Sequence, residues 1–139
     1  MSAGPTFAQQ RLVCIALLLG ITFYAVVVGV VLQSTGKGLA AAPLPELDTV
    51  AIALGAAMAI GAVTARGVLR RLAERAEPEA RAAARFRAVL VPIAMLEGGC
   101  LFGITVWMLN GNPVPGLAVA MVLLAIAIVL VPFTDPDAR

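Results

Sequence analysis

Four long runs of apolar residues account for most of this chain, and the first of them, Leu12 to Leu32, contains no charged residue. A helix needs about 20 apolar residues to cross the hydrocarbon core of a bilayer. With 61% hydrophobic and 13% charged residues, the chain has too little polar surface to cover a water-soluble globule. We therefore predict an all-α integral membrane protein, a single transmembrane domain whose four helices form a bundle over residues 12–32, 47–69, 88–109 and 114–133.

A cleaved signal peptide is the alternative for the first run, because Ala40, Ala41 and Ala42 resemble a small-residue cleavage site. The run is longer than the usual apolar region of about 7 to 15 residues. Only one basic residue, Arg11, precedes it, and Pro43 follows the alanines. These features favour a retained spanning helix.

Seven of the ten Lys and Arg residues lie between the second and third apolar runs: Arg66, Arg70, Arg71, Arg75, Arg81, Arg85 and Arg87. Basic residues concentrate on the cytoplasmic side of membrane proteins, so residues 70–87 should be a cytoplasmic loop, with both termini inside and the chain in the cell membrane, the inner membrane if it is bacterial. Nucleic-acid binding is disfavoured, because acids interleave with the arginines and no aromatic platform accompanies them.

Local signals place a turn within this loop. Pro78 is acceptable in the first turn of a helix, and Glu79 favours the positive end of the helix dipole, so the chain should turn near Glu77 and restart. Asp48 is the expected N-cap of the second helix. Two ion pairs with partners four residues apart are expected: Arg70 with Glu74, and Glu77 with Arg81.

Small residues mark two candidate helix-packing stripes. Ala53, Ala57, Gly61 and Ala65 recur at every fourth position of the second run, and Gly99 and Gly103 repeat the spacing in the third. Such stripes let neighbouring backbones approach closely where lipid removes the hydrophobic drive for association. The stripe in the second run fits either the inner helix of an oligomeric ring or packing within one chain, and the second interpretation is favoured.

Glu97 is the single acid that lies deep in an apolar run. A charge at the bilayer centre costs about 2.5 to 3.5 kcal/mol on insertion scales, so a carboxyl group there is neutral, paired or functional. Counting depth along the runs selects Thr22, Tyr24 and Thr64 as hydrogen-bond partners, whereas Arg66 lies roughly 9 Å shallower. The group is either a protonated contact between helices or a reversible carrier of a proton or ion.

Catalytic and cofactor-binding patterns are absent from the sequence. The chain has no histidine, no phosphate-binding loop, no nucleophile–base pair and no metal-ligand spacing. We therefore expect no enzyme activity, no metal, no haem and no other cofactor. Cys14 and Cys100 should lie roughly 15 Å apart in depth, too far for a disulfide.

Three motifs of the central hairpin carry a family resemblance: Gly55-Ala-Ala-Met-Ala-Ile-Gly61, Ala76-Glu-Pro-Glu79 and Met95-Leu-Glu-Gly-Gly-Cys-Leu-Phe-Gly103. The hairpin from Ile52 to Leu109 resembles the c subunit, or proteolipid, of rotary ATP synthases. The resemblance implies that Glu97 carries the ion. It also implies that the loop at Arg75, Pro78 and Glu79 contacts a soluble partner.

Two functions follow from these observations. The first is a c-subunit-like membrane component that carries protons or ions on Glu97. The second is a small non-enzymatic four-helix membrane protein that acts as a structural, assembly or partner-binding subunit, with a structural Glu97. Both place the chain in a lipid bilayer and allow a homo-oligomer or a larger membrane complex. A ring of copies with Glu97 on its outer face would favour the first, and an inward-facing Glu97 in a monomer or dimer the second.

Overall fold

A computed structural model describes residues 6–131, and all regular structure in that range is helical. The four helices are α1 (Phe7–Thr35), α2 (Pro45–Arg75), α3 (Pro78–Asn110) and α4 (Gly116–Leu130). By length and composition, the first three are long and apolar enough to cross a membrane. The all-α prediction is confirmed, and the first three predicted spans lie within these three helices.

The fourth helix is shorter than predicted. α4 has 15 residues, a length of about 22 Å against roughly 30 Å of hydrocarbon core. It begins at Gly116 rather than at residue 114, and Val131 has already left the helix with φ −67° and ψ 126°. Val131 precedes Pro132, and a residue before proline is biased towards extended backbone. The predicted end at Phe133 lies outside the described residues.

Helix ends follow local sequence signals. Thr6 begins α1 with a reciprocal capping box to Gln9, and Pro78 occupies the first turn of α3. The turn at Glu77 is therefore confirmed. Asp48 is not the N-cap of α2: the helix starts at Pro45, whose fixed φ suits the first helical position, so Asp48 lies inside the first turn.

α3 is the central helix and packs against the other three. Its neighbours α2 and α4 run antiparallel to it, while α1 runs parallel to it and contributes a thinner interface. The main core cluster contains residues from all four helices: Ile21, Val28, Ala62, Leu96, Cys100, Ile104, Ala120, Leu123 and Ala127. α3 supplies three members of this cluster, Leu96, Cys100 and Ile104.

Small residues bring α3 close to its neighbours. Gly99 lies against Leu123 of α4 and Met58 of α2, and a Cβ on Gly103 would lie 2.6 Å from the carbonyl oxygen of Gly116. These two predicted glycines therefore lie at close contacts between α3 and its neighbours. Leucine or isoleucine at either position would force the helices apart.

The predicted stripe on α2 is only partly used for packing. Gly61 lies against Met95, but Ala53 and Ala57 are exposed, and Ala65 is half-buried. The buried positions of α2 are instead Ala51, Gly55, Ala62 and Ala73. A spacing of four residues advances about 40° beyond a full helical turn at each step, so the stripe rotates away from the core. Ala53 and Ala57 therefore do not pack within the chain, contrary to the favoured interpretation of the stripe.

The outer surface of the bundle carries large apolar side chains. Phe23 of α1 is 71% exposed, Ile60 of α2 is 70% exposed and Val129 of α4 is 79% exposed. Water-soluble monomers rarely expose contiguous apolar patches larger than a few hundred Å². The surface therefore fits a bundle whose solvent is lipid.

Candidate functional site

Glu97 lies on α3 at the border between its packed and open faces. It is nine residues from Ala88, about 13 Å along the helix axis. Ile93 and Cys100, one turn away on either side, are fully buried, whereas Ala94 and Gly98 are exposed. A Cβ added to Gly98 would meet no heavy atom within 4 Å. The half-buried Glu97 side chain therefore has an open apolar surface beside it.

The three hydroxyl groups predicted to bind Glu97 have other partners. Thr22 donates to the carbonyl oxygen of Leu18 at 3.0 Å. Thr64 donates to the carbonyl oxygen of Ile60 at 2.8 Å. Both bonds lie within the threonine's own helix. The prediction that one of them binds Glu97 is wrong, because depth counting fixes the height of a residue but not the rotation of its helix.

Tyr24 bonds across the α1–α3 interface to a residue that the sequence reading missed. Its hydroxyl lies 3.1 Å from the hydroxyl oxygen of Thr105. Thr105 in turn lies 2.8 Å from the carbonyl oxygen of Leu101 and donates its single hydroxyl proton there. Tyr24 is therefore the donor to Thr105. Because α1 and α3 are parallel, residues that face each other across their interface differ by about 80 in number. This difference could have pointed to Thr105 only if the directions of the two helices had been known.

Arg66, the nearest cation on α2, is also engaged elsewhere. Its guanidinium donates to the carbonyl oxygen of Leu130 at 2.9 Å in a half-buried position. The last carbonyls of a helix lack intrahelical donors, and a cation there also complements the negative end of the helix dipole. Arg66 therefore caps α4 instead of pairing with Glu97.

The four side chains considered as partners for Glu97 are therefore all engaged with other groups. Within residues 6–131, the side-chain hydrogen bonds and ion pairs described above do not involve the Glu97 carboxylate. A carboxyl group that holds two helices together needs a donor or acceptor on the second helix. Within the described bundle, that role is taken by Tyr24 and Arg66.

A polar cluster lies at the end of the bundle opposite the α2–α3 turn. The Asn110 amide donates to the Asp48 carboxylate at 2.9 Å and to the Leu44 carbonyl at 3.2 Å, while its oxygen accepts from the Leu44 amide at 2.9 Å. Gly38 packs directly on the backbone of Leu109 and Gly111. This cluster joins the α1–α2 and α3–α4 connections, and it explains why Asp48 is half-buried without being an N-cap.

The α2–α3 turn carries an exposed charged surface. The predicted pair of Arg70 with Glu74 is confirmed at 3.3 Å. Arg81 instead donates to the carbonyl oxygen of Ala76 at 3.3 Å, so its predicted pair with Glu77 is replaced by a contact to the turn backbone. Arg75, Pro78 and Glu79, the predicted partner contact, are all exposed.

Both cysteines are free and buried. The thiol of Cys100 donates to the carbonyl oxygen of Ala120 at 3.3 Å and so contributes to α3–α4 packing. Among residues 6–131, no group of three His, Cys, Asp or Glu side chains is arranged to hold a metal ion.

Comparison of the chain with protein-family models, with curated proteins and with solved structures found no match. The resemblance of the central hairpin to the c subunit therefore remains a prediction from the sequence, and the described geometry is the ground for any functional assignment.

Proposed function

We propose that this protein is a non-enzymatic membrane component in which Glu97 reversibly binds a proton or an ion. The observation that carries the proposal is the half-buried Glu97 carboxylate, which has no partner among the described hydrogen bonds and ion pairs although it lies far from both ends of α3. A carboxyl group at such depth is the usual relay element of pumps and transporters.

The surroundings of Glu97 support exchange with a group from outside the chain. Ala94 and Gly98 leave the adjacent surface of α3 free of large side chains. A second subunit or a water-filled passage can approach the carboxylate there without displacing a packed residue. A carboxyl group enclosed by the core would lack this access.

The proposal retains the chemistry implied by the c-subunit resemblance but constrains any ring. α4 packs against both α2 and α3, and α1 packs against α3. Copies in a ring therefore have to meet through surfaces that α1 and α4 leave open, such as the side of α2 that carries Ala53 and Ala57. We propose a homo-oligomer or a larger membrane complex of this kind.

We further propose that the α2–α3 turn faces the cytoplasm and that the protein lies in the cell membrane. Seven of the ten basic residues support this orientation. The four-helix order then puts the start of α1 and the end of α4 on the same side. A cysteine introduced at exposed Ala80 should react with an impermeant reagent only from the cytoplasmic side.

The function is tested by reconstituting the full chain in sealed vesicles and measuring proton flux driven by a pH difference. We expect Glu97→Gln to abolish the flux and to leave the thermal unfolding midpoint nearly unchanged. Glu97→Asp should retain part of the flux, because the carboxyl group is kept. Loss of stability in Glu97→Gln, with no flux in either protein, would assign Glu97 a structural role.

The second candidate is an assembly or partner-binding subunit without ion transport. It is favoured by the large apolar side chains that cover the outside of α1 and α2, such as Phe23 and Ile60. Helices of a partner protein would shield these apolar side chains from water as effectively as lipid does. In that case Glu97 would bond a polar group of the partner, and its replacement would weaken the complex rather than alter flux.

A further inference from the structure

The register of α2 and α3 shows the depth at which each charged side chain near their turn lies. The register of the two helices is fixed by two contacts: the Cβ of Met58 lies 3.4 Å from a Cβ built on Gly99, and the Met95 side chain lies 2.9 Å from one built on Gly61. Antiparallel helices keep this register over a few turns. It therefore predicts which residues of α2 and α3 lie at the same level.

When this register is continued towards the turn, Arg70 and Arg71 lie level with Arg87 to within about one helical turn, or 5 Å. Arg85 lies half a turn beyond Arg87, and Arg66 lies one turn deeper. We name these five residues the arginine collar: Arg66, Arg70, Arg71, Arg85 and Arg87. No acidic residue occurs between Arg66 and Arg71 or between Arg85 and Arg87.

The tip of the hairpin has the opposite balance. It contains two arginines and three acids: Glu74, Arg75, Glu77, Glu79 and Arg81. Basic residues anywhere in the loop are enough to set the orientation of the protein in the membrane, so orientation does not require arginines and acids to lie at different depths. The excess of positive charge at the level of the collar suits a negatively charged ligand there.

The depth of the collar identifies that ligand. Arg66 bonds the last carbonyl of α4 and so marks the end of the apolar bundle. Arg70 and Arg71 lie about 6 to 8 Å beyond it, which is the thickness of one headgroup layer, whereas Arg75 lies about 13 Å beyond it. The collar is thus level with lipid phosphates, and the tip projects past them.

We propose that the exposed arginines of the collar, Arg70, Arg71 and Arg87, bind the phosphate groups of anionic phospholipids in the adjoining leaflet. Arg70, Arg71 and Arg87 are exposed, and guanidinium groups bind phosphate oxygens in a bidentate manner. Arg70 forms an exposed pair with Glu74, and such pairs contribute little and exchange readily. A soluble acidic partner would instead meet the tip first, where acids outnumber arginines.

The test uses the full chain in phosphatidylcholine vesicles that contain a minor fraction of phosphatidylglycerol, with spin-labelled lipids reporting the relative affinity of the two headgroups for the protein. Two variants remove the same charge: Arg71→Gln/Arg87→Gln in the collar and Arg75→Gln/Arg81→Gln in the tip. Each basic residue near the surface contributes about fivefold at low salt. We expect the collar variant to lose about 25-fold in selectivity for phosphatidylglycerol and the tip variant to lose about twofold at most.

Further arms separate the proposal from its alternatives. Arg71→Lys/Arg87→Lys should retain most of the selectivity, high salt should reduce it, and free inorganic phosphate should not compete with the lipid. Circular dichroism checks that each variant is folded. Equal losses in the collar and tip variants, no selectivity in the unaltered protein, or tighter binding of a soluble acidic peptide would each overturn the proposal.

Discussion

Gly103 and Gly116 bring the backbones of α3 and α4 into direct contact: a Cβ on Gly103 would lie 2.6 Å from the Gly116 carbonyl oxygen, and one on Gly116 would lie 2.5 Å from the Gly103 carbonyl oxygen. Neither contact can be relieved by turning a flexible side chain, since both involve backbone. The closeness of these two helices therefore depends on glycine at both positions.

We predict that Gly103→Ala lowers the free energy of unfolding by about 1 to 3 kcal/mol, the usual cost of inserting a methyl group into a packed interface. Thermal unfolding in detergent measures this. Gly98→Ala, on the open side of the same helix, is the matched control, and it should be neutral or stabilising because alanine favours helix over glycine. Equal losses in both variants would contradict the packing.

Asn110 should control the end of the bundle opposite the arginine collar. Asn110→Ala removes hydrogen bonds to Leu44 and Asp48, and it should lower the free energy of unfolding by about 1 to 3 kcal/mol. Hydrogen exchange at the Leu44 amide should also accelerate. Asn112→Ala, which loses one local contact to Val114, is the control. Unchanged exchange at Leu44 would contradict the assignment.

Arg66 should hold the last turn of α4. Arg66→Met keeps much of the side-chain volume but leaves the Leu130 carbonyl without its donor. We expect faster hydrogen exchange over residues 126–131 and a loss of about 1 to 3 kcal/mol in the free energy of unfolding. In detergent without anionic lipid, Arg71→Met, at an exposed position on the same helix, should leave both quantities unchanged. Similar effects in the two variants would show that loss of a positive charge, and not loss of the bond to Leu130, changes the stability and the exchange.

Tyr24 and Thr105 should couple α1 to α3. Interhelical hydrogen bonds in membranes average about 0.6 kcal/mol, so Tyr24→Phe and Thr105→Val should show a coupling free energy of that size in a double-mutant cycle. Thr22→Val offers a control, because Thr22 bonds within its own helix. A Thr22–Thr105 coupling as large as the Tyr24–Thr105 coupling would contradict the assigned bond.

The sequence predicted the features that depend on local physics. Apolar length identified the first three helices, and Pro78 with its flanking acids identified the turn. The failures concern relations between helices. Depth counting placed Thr22 and Thr64 at the height of Glu97 but could not give the rotation of α1 and α2. The spacing of Ala53 and Ala57 did not show on which side α3 would pack.

The partners of Asn110 and Arg66 were equally hidden in the sequence. Asn110 reads as a turn residue, and its contacts to Leu44 and Asp48 span more than 60 positions. Arg66 was predicted at the end of a span, but its bond to Leu130 depends on where α4 stops. That end is set by the extended backbone of Val131 before Pro132.

The central claim is that Glu97 reversibly binds a proton or an ion and does not serve as a permanent contact between helices. Infrared difference spectroscopy of the protein in vesicles, titrated with pH and compared with Glu97→Gln, tests it most directly. We predict a protonated-carboxyl band that is missing from Glu97→Gln and that disappears reversibly as the pH is raised. A Glu97 band that stays constant at every pH in the folded protein would contradict the claim.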